Sequence, residues 1–223
     1  MKLAVLISGT GRTLKNFIDL AAEGSLPVDI RLVISNTAKA GGLKFAQEAG
    51  IDTRVILREQ FPAGAAGDQE FGDAIFSACR DAGVECVAMA GFLKLAPVPD
   101  DFVGRVVNIH PALIPAFCGS GMYGHRVHQA VLDAGVKVSG CTVHFVDNQY
   151  DKGPIIWQQP VPVFDDDTAD TLAKRVFEVE KEAYPHVLRL LAEGRIRLDG
   201  RRVTMLKPQR GERPRTGAYP IDG

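Results

Sequence analysis

Lys2-Leu3-Ala4-Val5-Leu6-Ile7-Ser8-Gly9-Thr10-Gly11-Arg12-Thr13-Leu14 is the stretch that decides how this chain folds. A short apolar run of strand length enters a turn with two glycines, and Leu14, Phe17, Ile18 and Ala21 then recur at helical spacing as far as Gly24. A strand feeding a helix through a glycine turn opens a βαβ unit. With the helix beginning at about Leu14, its first backbone N–H groups point into the cleft above the sheet, where a phosphate is well placed. A dinucleotide fingerprint would need a third glycine where Leu14 stands and an acidic residue where Ser35-Asn36 ends the next strand. Both are missing. The turn suits a single phosphate, with Gly11, Arg12 and Thr13 supplying backbone, charge and hydroxyl.

Outward from this unit the same alternation continues. Strands are expected over 29–34 and 54–57 with a helix over 43–49 between them, which completes a βαβαβ half of a doubly wound sheet. A loop over 61–67, a helix over 69–82 and a nearly all-apolar strand over 84–90 follow. The run 103–109 reads as a helix end and then a fifth strand, which leads through His110-Pro111 into a long loop, 111–124, of the kind that is usually functional. After a helix over 126–134, the strand 139–147 sets Cys141, Val143 and Phe145 on one face and Thr142, His144 and Val146 on the other. Pro160 and Pro162 mark 154–163 as a sheet edge. A long amphipathic helix over 168–192 has acidic residues at its start, a hairpin turns at Asp199-Gly200, and no internal repeat is visible. The expected architecture is a single α/β domain with a doubly wound, mostly parallel sheet, spanning 1–206 and ending in a hairpin. A poorly structured, polar tail is expected over 207–223.

Composition narrows the partners. The 223 residues carry 26 basic and 27 acidic side chains, so no whole-chain field draws the protein to nucleic acid or an anionic membrane. No apolar run approaches the roughly 20 residues that span a bilayer, and no cleavage-type segment precedes the first strand, so a cytoplasmic protein is expected. Cys79, Cys86, Cys118 and Cys141 form no C-x-x-C pair and read as reduced thiols. His125 and His128 share a helical face, but no third ligand lies nearby in sequence, and no metal is expected.

The candidate chemistry sits at the end of the fifth strand. Val106-Val107-Asn108-Ile109-His110-Pro111 places an amide and an imidazole at a strand's carboxyl end, where open α/β sheets bind ligands. An Asn donates to an oxygen that is gaining negative charge, and a His donates or shuttles a proton. Asp151 lies in the turn Tyr150-Asp151-Lys152-Gly153-Pro154, where Gly153 permits a backbone shape that swings the carboxylate inward. Nothing in the spacing joins residue 151 to residue 108, and a turn aspartate is more often structural.

The run Asn108-Ile109-His110-Pro111-Ala112-Leu113-Ile114-Pro115 resembles the N-I-H-P-S-L-L-P segment of the phosphoribosylglycinamide formyltransferases. Gly140 to Val146 and Asp151 to Ile156 resemble that family's second signature, and the Ser8-Gly9-Thr10-Gly11 turn and Ala90-Gly91-Phe92 fall in the family's order, so the likeness covers about residues 1 to 198. The resemblance implies formyl transfer from 10-formyltetrahydrofolate, as co-substrate, to the amine of glycinamide ribonucleotide, with no metal and no nucleophilic side chain. It puts the catalytic Asn, His and Asp on Asn108, His110 and Asp151, the phosphate turn on Gly11, Arg12 and Thr13, and a ribose-binding carboxylate on Glu180. It puts the folate pocket on Phe92, Leu93, Lys94 and Leu95, on Val146 and Asp147, and on His125, the match to the second histidine of the family's H-x-H. On this reading Asp151 favours a protonated His110, which joins Asn108 in stabilising an oxyanion.

The chain departs from the family in having Arg12-Thr13 where Ser-Asn is usual, and in a longer loop at Cys118 to Gly124. An arginine that reaches the phosphate in the family has no counterpart over 64–71, and Arg12 is the candidate to replace it. Formyltetrahydrofolate deformylase and methionyl-tRNA formyltransferase share the core motifs, but are expected to need a further N-terminal or RNA-facing C-terminal domain. A non-catalytic folate or nucleotide sensor would not need Asn108, His110 and Asp151 together. The oligomeric state, monomer or homodimer, is left open by the sequence.

Overall fold

The computed structural model describes residues 1–207. A seven-stranded sheet is built from β1 (Lys2–Ile7), β2 (Asp29–Ser35), β3 (Asp52–Val55), β4 (Cys86–Met89), β5 (Val106–His110), β6 (Val138–Phe145) and β7 (Ile155–Pro162), in the order β3-β2-β1-β4-β5-β6-β7. All pairings from β3 to β5 are parallel, and β6 runs antiparallel to both of its neighbours. The sheet is therefore doubly wound and mostly parallel, and β7 lies at an edge, where its two prolines leave no ladder donor wanting on a central strand.

Helices cover both faces, as strands apolar along their whole length require. α1 (Arg12–Ala22), α2 (Gly42–Glu48), α4 (His125–Asp133) and α5 (Ala169–Ala192) contribute to one apolar cluster, including Leu14, Phe17, Ala46, Val131 and Leu172. The other face is covered by α3 (Ala65–Asp81), through Phe71, Ile75 and Phe76. The hairpin of β8 (Ile196–Asp199) and β9 (Arg202–Met205) packs Leu198 and Met205 against the first cluster. No described helix is long and apolar enough to cross a membrane.

Several boundaries differ from the sequence expectation for local reasons. α1 starts at Arg12 rather than Leu14, because Gly11, with φ of 75°, takes the left-handed turn immediately before it. α3 starts at Ala65, inside the expected loop. Gly67 lies so close to the Pro62 carbonyl that a Cβ there would stand 1.7 Å from its oxygen. Arg58 gathers the preceding loop by bonding Asp68 at 2.7 Å and the carbonyls of Phe61, Pro62 and Gly64. The expected helix end before β5 is a short 3-10 turn, Asp100–Phe102, capped at Val103. The expected tail lies, apart from Lys207, outside the described residues.

α5 is the element that closes the cleft. Its Tyr184, fully buried, donates toward the carbonyls of Met89 (3.1 Å) and Val107 (2.9 Å), and stacks edge-on with Phe17. Burying such a ring contributes roughly 1.5–3 kcal/mol, and the aromatic pair about 0.5–1.5 kcal/mol more. The helix is thereby fixed to the end of β4 and the start of β5.

Candidate active site

β1 and β4 are neighbours in the sheet, but the chain leaves them in opposite directions, and a crevice opens above such a switch point. A cavity of about 630 Å³ occupies it. Every residue given a catalytic or binding role from the sequence lines this one space: Gly11, Arg12 and Thr13 after β1, Phe92 to Leu95 after β4, Asn108 and His110 on β5, His125 on α4, Val146, Asp147 and Asp151 after β6, and Glu180 on α5.

The antiparallel β5–β6 register builds the polar centre. It sets Asn108 opposite His144 and His110 opposite Thr142. His144 is buried, and its Nδ1 faces the Phe145 carbonyl at 2.8 Å. A carbonyl only accepts, so Nδ1 carries the proton and Nε2 is left to accept from the Asn108 amide at 3.3 Å. His110 is arranged in the mirror sense: its Nε2 donates to the Phe117 carbonyl at 2.8 Å, and its Nδ1 faces Asp151. The two carboxylate oxygens of Asp151 stand 3.6 Å from Nδ1 of His110 and 3.6 Å from Nε2 of His144. One carboxylate thus lies between two imidazole nitrogens that carry no proton when the rings are neutral. Sequence reading missed His144, although it stands in the second motif and on the polar face of its strand.

Burial holds His110 below the ordinary imidazole range, although Asp151 and the Phe117 carbonyl oppose the shift. The expected imidazolium is therefore not the resting form near neutral pH, because desolvation outweighs one carboxylate at 3.6 Å. Burial alone would lift Asp151 too. The neighbouring His144, the His110 ring and the Gly119 N–H, which donates to Oδ2 at 2.8 Å, together keep it below the usual carboxylate range. His110 rests as the neutral base beside an ionised Asp151, ready to receive one proton.

Backbone strain aims these groups. Phe117 and Asp151 are the described non-glycine residues with positive φ, 51° and 54°, and each presents a group to His110. Gly153 is not left-handed. It is glycine because a Cβ would stand 1.7 Å from the Phe145 carbonyl oxygen, so the Asp151 loop folds tightly onto β6. Thr142, fully buried, donates to the Ala112 carbonyl at 2.7 Å, accepts from the Ile114 N–H and lies 3.1 Å from the Gln158 amide, which fixes the start of the 111–124 loop.

The cavity has two unlike ends. At one, Arg12 lies over the Phe177 ring, and Glu180 faces the same space with its carboxyl pushed up to about 7 by burial, against the pull of Arg12. At the other, Phe92, Leu93, Leu95 and Val146 make an apolar wall. Its two loops are tied by Leu93 N–H to Ser8 Oγ at 2.9 Å and by Val98 N–H to Asn148 Oδ1 at 2.8 Å. His125 sits at the rim, exposed and paired with Asp170 at 2.9 Å. The histidine that turns inward is His128, one helical turn on. It is buried, its Nδ1 has no partner, and burial and the neighbouring rings of His125 and His110 lower it to about 4. Among the described residues, no three His, Cys, Asp or Glu side chains are grouped as a metal ion requires.

Known proteins resemble this chain in sequence and fold. The formyl transferase family matches residues 1–188. A phosphoribosylglycinamide formyltransferase of Haemophilus influenzae is 39% identical over 199 residues, 88% of this chain and 90% of that protein. The trifunctional purine biosynthetic protein adenosine-3 of Gallus gallus is 41% identical over 200 residues, and this chain spans 19% of its length. Glycinamide ribonucleotide transformylase 1 from Symbiobacterium toebii superposes with a TM-score of 0.85 at 40% identity, over 93% of this chain and 94% of that one. Sequence and fold agree along nearly the whole domain, and the chain belongs to the formyl transferase family.

Proposed function

We propose that this chain transfers the formyl group of 10-formyltetrahydrofolate to the amine of glycinamide ribonucleotide, a step of purine synthesis. The observation that carries this reading is the position of the Asn108, His110, His144 and Asp151 cluster between the two unlike ends of one cavity. A phosphorylated amine fits the Arg12 end, where the first N–H groups of α1 and a guanidinium favour an anion. A planar heterocycle fits the apolar wall of Phe92, Leu93, Leu95 and Val146.

When bound, the folate supplies the formyl carbon, and the protein supplies orientation and proton handling. The Asn108 amide carries two hydrogens. His144 holds one, which leaves the other for an oxygen that gains charge as the amine attacks. The attacking amine sheds a proton, and Nδ1 of His110, neutral and open toward Asp151, is the acceptor. Charge that appears on the ring is then countered by the Asp151 carboxylate and lies beside the same oxygen. The proton finally passes to the nitrogen that leaves.

The test is the absorbance change of 10-formyltetrahydrofolate with and without glycinamide ribonucleotide. Turnover that depends on the ribonucleotide is expected. Equal turnover in its absence would identify a deformylase, and folate binding with no turnover would identify a binding protein.

A further inference from the structure

Arg12 lines the anion end of the cavity, and its side-chain contact among the described residues is aromatic. The guanidinium carbon lies 4.2 Å from the centroid of Phe177, and no hydrogen bond or ion pair involves its N–H groups among the described residues. Arg12 pulls the Glu180 carboxyl down against its burial, yet forms no ion pair with it. The face of the guanidinium is occupied while its forked edge is unclaimed.

The ring's position does not depend on Arg12. One turn further along both helices, Nδ2 of Asn16 donates to the Lys181 carbonyl at 2.9 Å. Asn16 is four residues beyond Arg12, and Lys181 is four beyond Phe177, so both contacts lie on one α1–α5 seam in one register. Tyr184 holds the next turn of α5 against the sheet. At the other side of the pair, Gly11 packs so tightly on α2 that a Cβ would lie 2.3 Å from the Gly42 Cα. Both backbones are fixed, which leaves the side-chain torsions of Arg12 as the freedom that the ring removes.

We propose that Phe177 is a positioning residue for substrate selection: its face orients the Arg12 guanidinium so that the free edge meets a phosphate monoester. This rests on the proposed reaction for the identity of the substrate, not for the presence of the anion site. A long flexible cation on an exposed turn loses rotamer freedom when it grips an anion, and a ring that restrains it beforehand reduces that loss.

The experiment titrates wild type and variants with ribose 5-phosphate by calorimetry and measures steady-state kinetics in parallel. Phe177→Leu keeps apolar volume and removes the face. It is expected to weaken ribose 5-phosphate about tenfold and to raise KM for the phosphorylated amine by the same factor, with little change in kcat or in KM for the folate. Phe177→Trp is expected to restore wild-type affinity, which a merely space-filling role would not predict. Arg12→Ala and the double variant with Phe177→Leu are expected to bind equally weakly. Unchanged affinity in Phe177→Leu, a Trp variant as weak as the Leu variant, additive losses in the double variant, or no binding by wild type would each overturn the assignment. Binding that weakens in Phe177→Leu, in an enzyme that transfers no formyl group to glycinamide ribonucleotide, would overturn the reaction and uphold the role of Phe177.

Discussion

Oδ2 of Asp151 stands 3.6 Å from Nδ1 of His110, and Asp151 holds it there from a left-handed backbone with φ of 54°. Charge and backbone shape are separable at such a position, because asparagine tolerates the left-handed region and alanine does not. Asp151→Asn is expected to fold with wild-type stability and to lose about two to four orders of magnitude in kcat. Asp151→Ala should lose the same activity and a further ~1 kcal/mol in urea denaturation. A near-normal rate in the Asn variant would remove the carboxylate from the mechanism.

Glu180 gives the binding of the phosphorylated amine a pH dependence. Its carboxyl is raised to about 7, so below that pH it is increasingly protonated and is a poorer acceptor for a ribose diol. KM for the ribonucleotide is expected to rise as pH falls through about 7 and to flatten in Glu180→Gln. The substrate phosphate, with its own ionisation near pH ~6, leaves a residual slope in both proteins. Identical profiles for the two would rule Glu180 out.

His128 couples folding to pH. Its folded value of about 4 lies below the ordinary 6.5, so the unfolded chain takes up the proton first and stability falls as pH drops between these values. The loss attributable to His128 is on the order of 3 kcal/mol at most. Denaturation midpoints measured across that window should fall in wild type and fall less steeply in His128→Leu. Parallel curves would show that other groups carry the acid sensitivity.

Gly153→Ala tests the seat of the Asp151 loop. The added Cβ would meet the Phe145 carbonyl, which is backbone and cannot swing away. A loss of more than ~2 kcal/mol and a fall in kcat/KM of more than about tenfold are expected, as Asp151 is displaced. Gly9→Ala, with nothing within 4 Å of the new methyl, should change stability by less than ~0.5 kcal/mol. Comparable losses in the two would refute the steric account.

Much of the site was legible before the fold. Polar residues at Asn108 and His110, at the end of an apolar run, and glycines at the end of the first strand mark a ligand cleft in any open α/β sheet. His144 was harder to read. It alternates with buried apolar residues on β6, and only the antiparallel pairing with β5 turns that position into a neighbour of Asn108. Between His125 and His128, spacing gave no preference. Packing decided it, by burying His128 and leaving His125 to pair with Asp170 at the rim.

The sequence by itself determined the order of strands and helices, the glycine turn, the edge character of β7 and the residue types available for proton transfer, because hydrophobic period and turn chemistry are local. The tertiary structure decided which of those residues meet, and in which protonation state. Asp151 reaches His110 across 41 positions through strand register and a strained turn, and His110 rests neutral because the desolvation of a closed cleft outweighs the carboxylate beside it.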